Sequence, residues 1–203
     1  PAPSPGWKSF IPLVLLLALQ PFLYRVCGAP PAVVKPAAKV AAEATKAVGA
    51  LGEFLAVKLP GGLELKVPAL GVQKKLNAFI EDAGKPVDKK LWFSFDRLEF
   101  ETGSATLKPS SMEQLKNIAE ILKAYPKVNL KIGGYTDNVG NPAANLTLSQ
   151  KRAENTMQEI VKLGIDAKRL EAEGYGDKYP VADNTTEEGR QKNRKIDLRV
   201  TKK

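Results

Sequence analysis

From residue 91 to the C-terminus, segments of strand period alternate with segments of helix period, and that alternation restricts the chain to a layered α/β fold. Leu91-Trp92-Phe93-Ser94-Phe95 places apolar residues at odd positions, and the parity shifts at Asp96-Arg97 before Leu98 and Phe100, which predicts a bulge or break there. Ser110 and Glu113 have the spacing of a capping box ahead of a helix whose face is Leu115, Ile118, Ala119 and Leu122, and Pro126 forbids its continuation. A strand from Lys127 to Tyr135 follows, with Val128, Leu130 and Ile132 turned inward. Asn141 suits the cap of the next helix, Pro142 its first turn and Gly164 its close. Leu170 to Gly174 then reads as a strand. The alternation of Ile196, Leu198 and Val200 with Asp197, Arg199 and Thr201 is the plainest strand in the chain. Its polar face predicts a sheet covered on one side only. The fold class is α/β, an α+β sandwich with helices packed on one face of a mixed sheet.

The first ninety residues read differently. Phe10 to Cys27 is an almost unbroken apolar run flanked by Lys8 and Arg25. Eighteen helical residues span about 27 Å, close to a hydrocarbon core of about 30 Å, and Trp7, Tyr24 and Arg25 suit the interfaces. A single uncleaved membrane-spanning helix, kinked at Pro21, is the preferred reading of residues 1–28. A signal segment ending in a lipidated Cys27 fits less well, because Tyr24, Arg25 and Val26 stand where small residues are wanted. Residues 29–52 are rich in Ala, Pro and spaced Lys and read as a tether, partly helical or disordered. Residues 53–90 predict a small β-β-α unit: strands Glu53 to Leu59 and Leu63 to Val67 joined at Pro60-Gly61-Gly62, then a helix with Val72, Leu76, Phe79 and Ile80 on one face, closed at Gly84. No chemistry is assigned to that unit, which reads as a spacer or packing element beside the main domain at 91–203.

Composition narrows the function. The chain has no histidine and one cysteine, which removes histidine-based catalysis, an internal disulfide and the commonest metal ligand, so neither a metal nor a cofactor is expected. The net charge of +9 lies mostly outside 91–203, and without a stripe of basic and aromatic residues it does not predict nucleic-acid binding.

The chemistry lies in Gly134-Tyr135-Thr136-Asp137-Asn138-Val139-Gly140 and, on the following helix, Leu148-Ser149-Gln150-Lys151-Arg152-Ala153. A carboxylate just past a strand and a guanidinium on the next helix suit a ligand carrying an ammonium and a carboxylate on one carbon. Read from the residues alone, Asp137 and Arg152 also fit a turn residue and a structural ion pair, with Arg152 reaching back toward Asp137. The spacing T-D-x-x-G, then N-x-x-L-S-x-x-R-A, then Gly174-Tyr175-Gly176 and Asn184 to Arg194, resembles the OmpA-like C-terminal domain family over roughly Leu91 to Lys203. That resemblance implies non-covalent binding of peptidoglycan, with Asp137 taking the ammonium and Arg152 the carboxylate of a stem-peptide diaminopimelate. It also implies that Thr136, Asn145 and Leu148 shape the pocket, that Thr102 and Gly103 line its other side with backbone donors, and that Arg194 belongs either to the site or to the brace of the last strand. Lys195 stands where many relatives carry a second arginine, keeping the charge without the fork.

The expected protein is an envelope protein of a Gram-negative bacterium, anchored in a membrane through residues 10–27 with its C-terminal domain in the periplasm, tethering that membrane to the wall. A homodimer or an envelope-complex partner is compatible with this reading. The alternatives are a wall-anchoring subunit of a larger envelope machine, stator-like or secretory, and a wall hydrolase using Asp96, Glu99 or Glu101. The apolar run contains none of the acidic residues that ion-driven stators require, and no enzymatic reaction is implied.

Overall fold

The computed structural model describes residues 51–203. The predicted membrane span and nearly all of the tether therefore lie outside the described residues, among which no helix is long and apolar enough to cross a membrane.

Strands β1 (Phe54–Lys58) and β2 (Glu64–Pro68) form an antiparallel hairpin in regular register. Gly61 and Gly62 close its turn with φ of 92° and 87°, which glycine adopts without a Cβ penalty. Alternation turns Leu65 and Val67 inward, and helix α1 (Val72–Glu81) buries Val72, Leu76, Phe79 and Ile80 at the expected helical spacing. The helix stops at Asp82, whose carboxylate accepts from the Gly84 N–H, so Gly84 lies just beyond the helix rather than closing it.

Beyond the hairpin unit come β3 (Phe93–Ser94), α2 (Met112–Ala124), β4 (Asn129–Tyr135), α3 (Pro142–Lys162), β5 (Leu170–Gly176), α4 (Glu187–Asn193) and β6 (Ile196–Lys202). The four-stranded sheet has the order β3-β6-β4-β5, with β4 and β5 parallel and the other pairs antiparallel. The sheet is therefore mixed, as the alternation of elements implies. The strand expected over 91–95 is shorter: after Phe93 and Ser94 only the bond from Phe95 N to Ile196 O continues the ladder. The chain leaves the sheet at Asp96 because that carboxylate faces the hairpin unit, where Oδ2 accepts from the Val72 N–H at 2.7 Å and Oδ1 from the Gln114 amide. Asp96 thus caps α1 from a distance.

The capping box at Ser110 and Glu113 does not form. A 3₁₀ turn at Pro109–Ser111 precedes α2, the Ser110 hydroxyl donates to Glu99 and Glu113 pairs with Arg97, so neither side chain folds back onto the helix start. Asn141, by contrast, accepts from the N–H groups of Ala143 and Ala144, with Pro142 behind it, as expected of a cap.

Helix α3 lies against the sheet closer than side chains ordinarily allow. Gly134 on β4 and Gly174 on β5 are register partners. A Cβ on the first would fall 2.1 Å from the Ser149 carbonyl oxygen, and one on the second 2.3 Å from the Gln150 nitrogen. The Ser149 hydroxyl accepts from the Gly176 N–H and the Gln150 side-chain oxygen from the Gly174 N–H, so helix and strand are joined by hydrogen bonds as well as contact.

The opposite sheet face is not an open polar surface. Gly133 leaves room for the rings of Trp92 and Tyr175 across the strands. Tyr135 and Tyr175 stack at 5.1 Å, and Trp92 stands edge-on to both. Arg199 lies over Trp92 and Lys195 over Tyr135. Under this layer Asp197 is only 2 % exposed and pairs with Lys195, which corrects the expectation of a solvated Asp197.

One buried apolar cluster joins Leu65, Val67, Leu76 and Phe79 of the hairpin unit to Phe95, Ile118, Leu130, Ile132 and Leu198. Phe79 and Phe93 touch across it, with ring centres 5.6 Å apart.

Candidate functional site

The site gathers where β4 ends, at the N-terminal part of α3 and at the end of α4. Asp137, 8 % exposed, lies two residues beyond β4. Its Oδ1 accepts from the Val139 N–H at 3.0 Å, which makes a side-chain turn. The Asn145 amide donates to the carbonyls of Val139 and Asp137, at 3.0 and 3.3 Å, and braces the same turn from the helix. Buried Thr136 joins it to β5 through a bond from its N–H to Gly176 O, while its hydroxyl has no partner among the described residues.

The partner of Asp137 is Arg194 rather than Arg152. Arg194 donates from Nη1 to Asp137 Oδ2 at 2.6 Å and from Nη2 to Glu187 Oε1 at 2.7 Å. Glu187, in the first turn of α4, also holds Arg190. Burial alone would lower the Arg194 pKa, but the bonds to Asp137 and Glu187 outweigh it and raise the value. The same bond to Arg194, then the one to Arg190, holds the Glu187 carboxyl below the ordinary glutamate range.

Arg152 is wired differently. Its Nε donates to the Ser104 carbonyl at 2.9 Å, and its guanidinium sits over the Phe100 ring with the centre 5.0 Å away. Asn155, three residues on, holds the Ala105 carbonyl, so the loop carrying Thr102 and Gly103 is fixed to α3 by its next two residues. Among the described residues no carboxylate pairs with Arg152 and no protein acceptor meets either Nη nitrogen. Burial, and then the nearby positive Arg194, lower its pKa, with Asp137 opposing. A half-buried cation without a counter-ion invites an anion.

A cavity of about 340 Å³ lies beside these groups, walled by Phe95, Leu98, Phe100, Arg152, Arg194 and Ile196. Lys195 also contributes to the wall, but its ammonium is engaged by Asp197. Thr102 and Gly103 are exposed outside the wall, and half-buried Leu148 also lies outside it. The structure therefore brings together Asp137, Asn145, Arg194 and, across the cavity, Arg152. It adds Glu187, Phe100 and Ser104, which the sequence reading did not single out: no helix is predicted over 187–193, so nothing marks Glu187 as a first-turn acid, and nothing local marks a backbone carbonyl as an arginine acceptor. Asp96, one of the acids weighed for hydrolysis, is turned instead to α1 and Gln114, and Glu99 to Lys108 and Ser110.

A carboxylate held between a turn and a guanidinium, beside a second guanidinium whose Nη groups meet no acceptor among the described residues and an apolar wall, has the charges that suit a small zwitterionic group, on a two-layer α/β scaffold. Residues 99–194 match the OmpA family, and this C-terminal part of the chain is an OmpA-family domain. It is 41 % identical over 103 residues to outer membrane porin F of Pseudomonas fluorescens, covering 51 % of this chain and 32 % of that protein. It is 33 % identical over 141 residues to peptidoglycan-binding protein ArfA of Mycobacterium tuberculosis, covering 70 % and 39 %. The chain thus spans about a third of the length of these relatives. A MotB-like protein of Desulfovibrio vulgaris has the same fold, with a TM-score of 0.52 at 21 % identity over 65 % of this chain and 90 % of that one.

Proposed function

We propose that this chain binds peptidoglycan non-covalently through the free amino-acid centre of a stem-peptide diaminopimelate, and that it ties a membrane to the wall in the cell envelope. The observation that carries the reading is Arg152, half-buried and without a carboxylate among the described residues. Its two Nη groups suit a carboxylate in a fork, and Asp137, fixed by Val139 and Arg194, retains lone pairs for the ammonium. Arg194 sets the position of Asp137 and adds positive charge to the wall. Asn145 and Thr136 hold the turn, and Leu148, Thr102 and Gly103, which lie outside the cavity wall, have a part in the pocket only as the resemblance implies. The match to the OmpA family and the similarity to a relative named for peptidoglycan binding support the same reading. The periplasmic placement of the domain and an anchor at residues 10–27 belong to this proposal.

The expected contact is weak and reversible. Each charge-assisted hydrogen bond contributes roughly 1.5 to 3 kcal/mol, and one zwitterionic centre offers few of them. A tethered domain facing a dense repeating polymer works at high effective concentration, so weak contacts suffice. Co-sedimentation of the detergent-solubilised full chain with diaminopimelate-type peptidoglycan tests the reading. The parent protein is expected in the pellet, and Asp137→Ala and Arg152→Ala, each shown by circular dichroism to be folded at the assay temperature, in the supernatant. Undiminished pelleting of both folded variants would refute the zwitterion clamp.

A further inference from the structure

Among the described residues the hairpin of β1 and β2 is a second sheet, and no strand pairs with its β1 edge. Two bonds fix which way the β1 backbone faces: Leu59 donates to Leu63 O, and Ala69 donates to Glu53 O. Odd-numbered residues from 53 to 59 therefore turn their main-chain groups toward β2. Phe54, Ala56 and Lys58 turn theirs outward, where no strand of the described residues meets them. Edges are usually protected by proline, a bulge or charge. Here β1 contains no proline, the hairpin register is unbroken, and the one charge, Lys58, sits at the strand's end paired with Glu64 at 3.4 Å. Phe54 and Leu55 on this edge are 42 % and 38 % exposed.

We propose that this edge pairs with β1 of a second copy of the chain, antiparallel about a two-fold axis at Ala56, so that two hairpins make one four-stranded sheet. The strand is complementary to itself in this register. Ala56 meets Ala56, and Phe54 meets Lys58, so every outward residue exchanges both of its main-chain hydrogen bonds with an outward residue. A shift of two residues either way carries Phe54 or Lys58 past the partner strand's end. No like charges oppose each other, since each Lys58 faces an aromatic ring. On the inner face Leu55 meets Val57, which covers the leucine left exposed at the edge. The two-fold closes the contact, so it ends at a dimer and does not propagate into a fibre. Five-residue strands bury little area, so the dimer is weak in dilute solution. Its consequence is valency, because two weak wall sites on one body bind a repeating polymer far better than one.

The test uses the detergent-solubilised full chain carrying Cys27→Ser, so that introduced cysteines are alone. Opposed residues of a hydrogen-bonded antiparallel pair have Cα atoms about 5.5 Å apart, inside the range a disulfide spans. Mild oxidation of Ala56→Cys is expected to give a covalent dimer, and Lys66→Cys, its neighbour one strand further from the axis, is expected not to. Sedimentation should show two chains at high concentration, dissociating on dilution. Ala56→Pro, which removes an outward N–H and leaves the β1 to β2 bonds in place, should sediment as one chain. The proposal is overturned by a one-chain mass up to the solubility limit, by a dimer that survives Ala56→Pro, or by equal cross-linking at residues 56 and 66. If Ala56→Pro fails to fold, the two cysteine variants decide.

Discussion

Arg152 and Arg194 carry the same charge and do opposite work. Arg194 is paired twice, to Asp137 and Glu187, and Arg152 is held by one backbone carbonyl and an aromatic ring. Arg152→Lys keeps the charge and loses the fork, so it should leave the melting temperature nearly unchanged and weaken wall binding by roughly ten- to a hundredfold, the value of one charge-assisted bond. Arg194→Ala leaves the mostly buried Asp137 carboxylate without its cation, and between the surface and buried limits for such a loss it should cost about 1 to 3 kcal/mol in a urea titration. The same pairing sets a pH dependence. Glu187 has its pKa depressed in the folded chain by Arg194 and then Arg190. Its contribution is therefore present above the ordinary glutamate pKa and lost as pH falls through the lower folded value. Carbon-detected titration should place the Glu187 midpoint below that of glutamate in an unfolded peptide, and Arg194→Ala should move it back up. The positions of Asp137 and Arg152 were legible in the sequence from the strand and helix they flank. The choice of Arg194 as the partner was not, because it joins residues 57 apart in the chain.

Elements meet here through glycines as much as through apolar faces. Gly134→Ala and Gly174→Ala each drive a methyl into the backbone of α3, so each should destabilise the fold by at least about 1 to 3 kcal/mol, the usual cost of overpacking. Gly61→Ala, in an open turn at φ 92°, meets nothing within 4 Å and should cost only about 1 kcal/mol in backbone strain. Thermal unfolding of the three variants would separate packing from strain, and equal losses would contradict this assignment. The periodicity of α1, α2, β4 and β6 was readable residue by residue, as was the Asn141 cap. The Ser110 and Glu113 capping box was misleading because both side chains found partners on the segment before the helix. The aromatic layer over the far sheet face is not legible in the sequence, because Trp92, Tyr135 and Tyr175 come from three separate segments and meet only once the strands are ordered.

At the scale of the whole molecule the hairpin unit shares its core with the sheet. Leu76 is fully buried in that shared cluster, so Leu76→Ala should cost about 2 to 5 kcal/mol. It should also lower one common transition: urea unfolding followed by Trp fluorescence and by far-UV circular dichroism should coincide in the parent and shift together in the variant. A separate early transition of the hairpin would show that the shared core contributes little. The Asp96 cap on Val72 gives a second link across the same junction.

What the sequence determined by itself is whatever depends on neighbours in the chain. Strand and helix periods, the cap at Asn141, the turn glycines and the placing of Asp137 after a strand and Arg152 on the next helix all follow from local spacing and backbone chemistry. Tertiary structure alone decided which cation Asp137 holds, that Arg152 is left without a carboxylate among the described residues, that Asp96 caps a distant helix and that one face of the sheet is roofed by rings. These depend on which distant segments the strand order brings within hydrogen-bond reach, and a charge or a ring carries no local signal of the partner that the fold will bring to it.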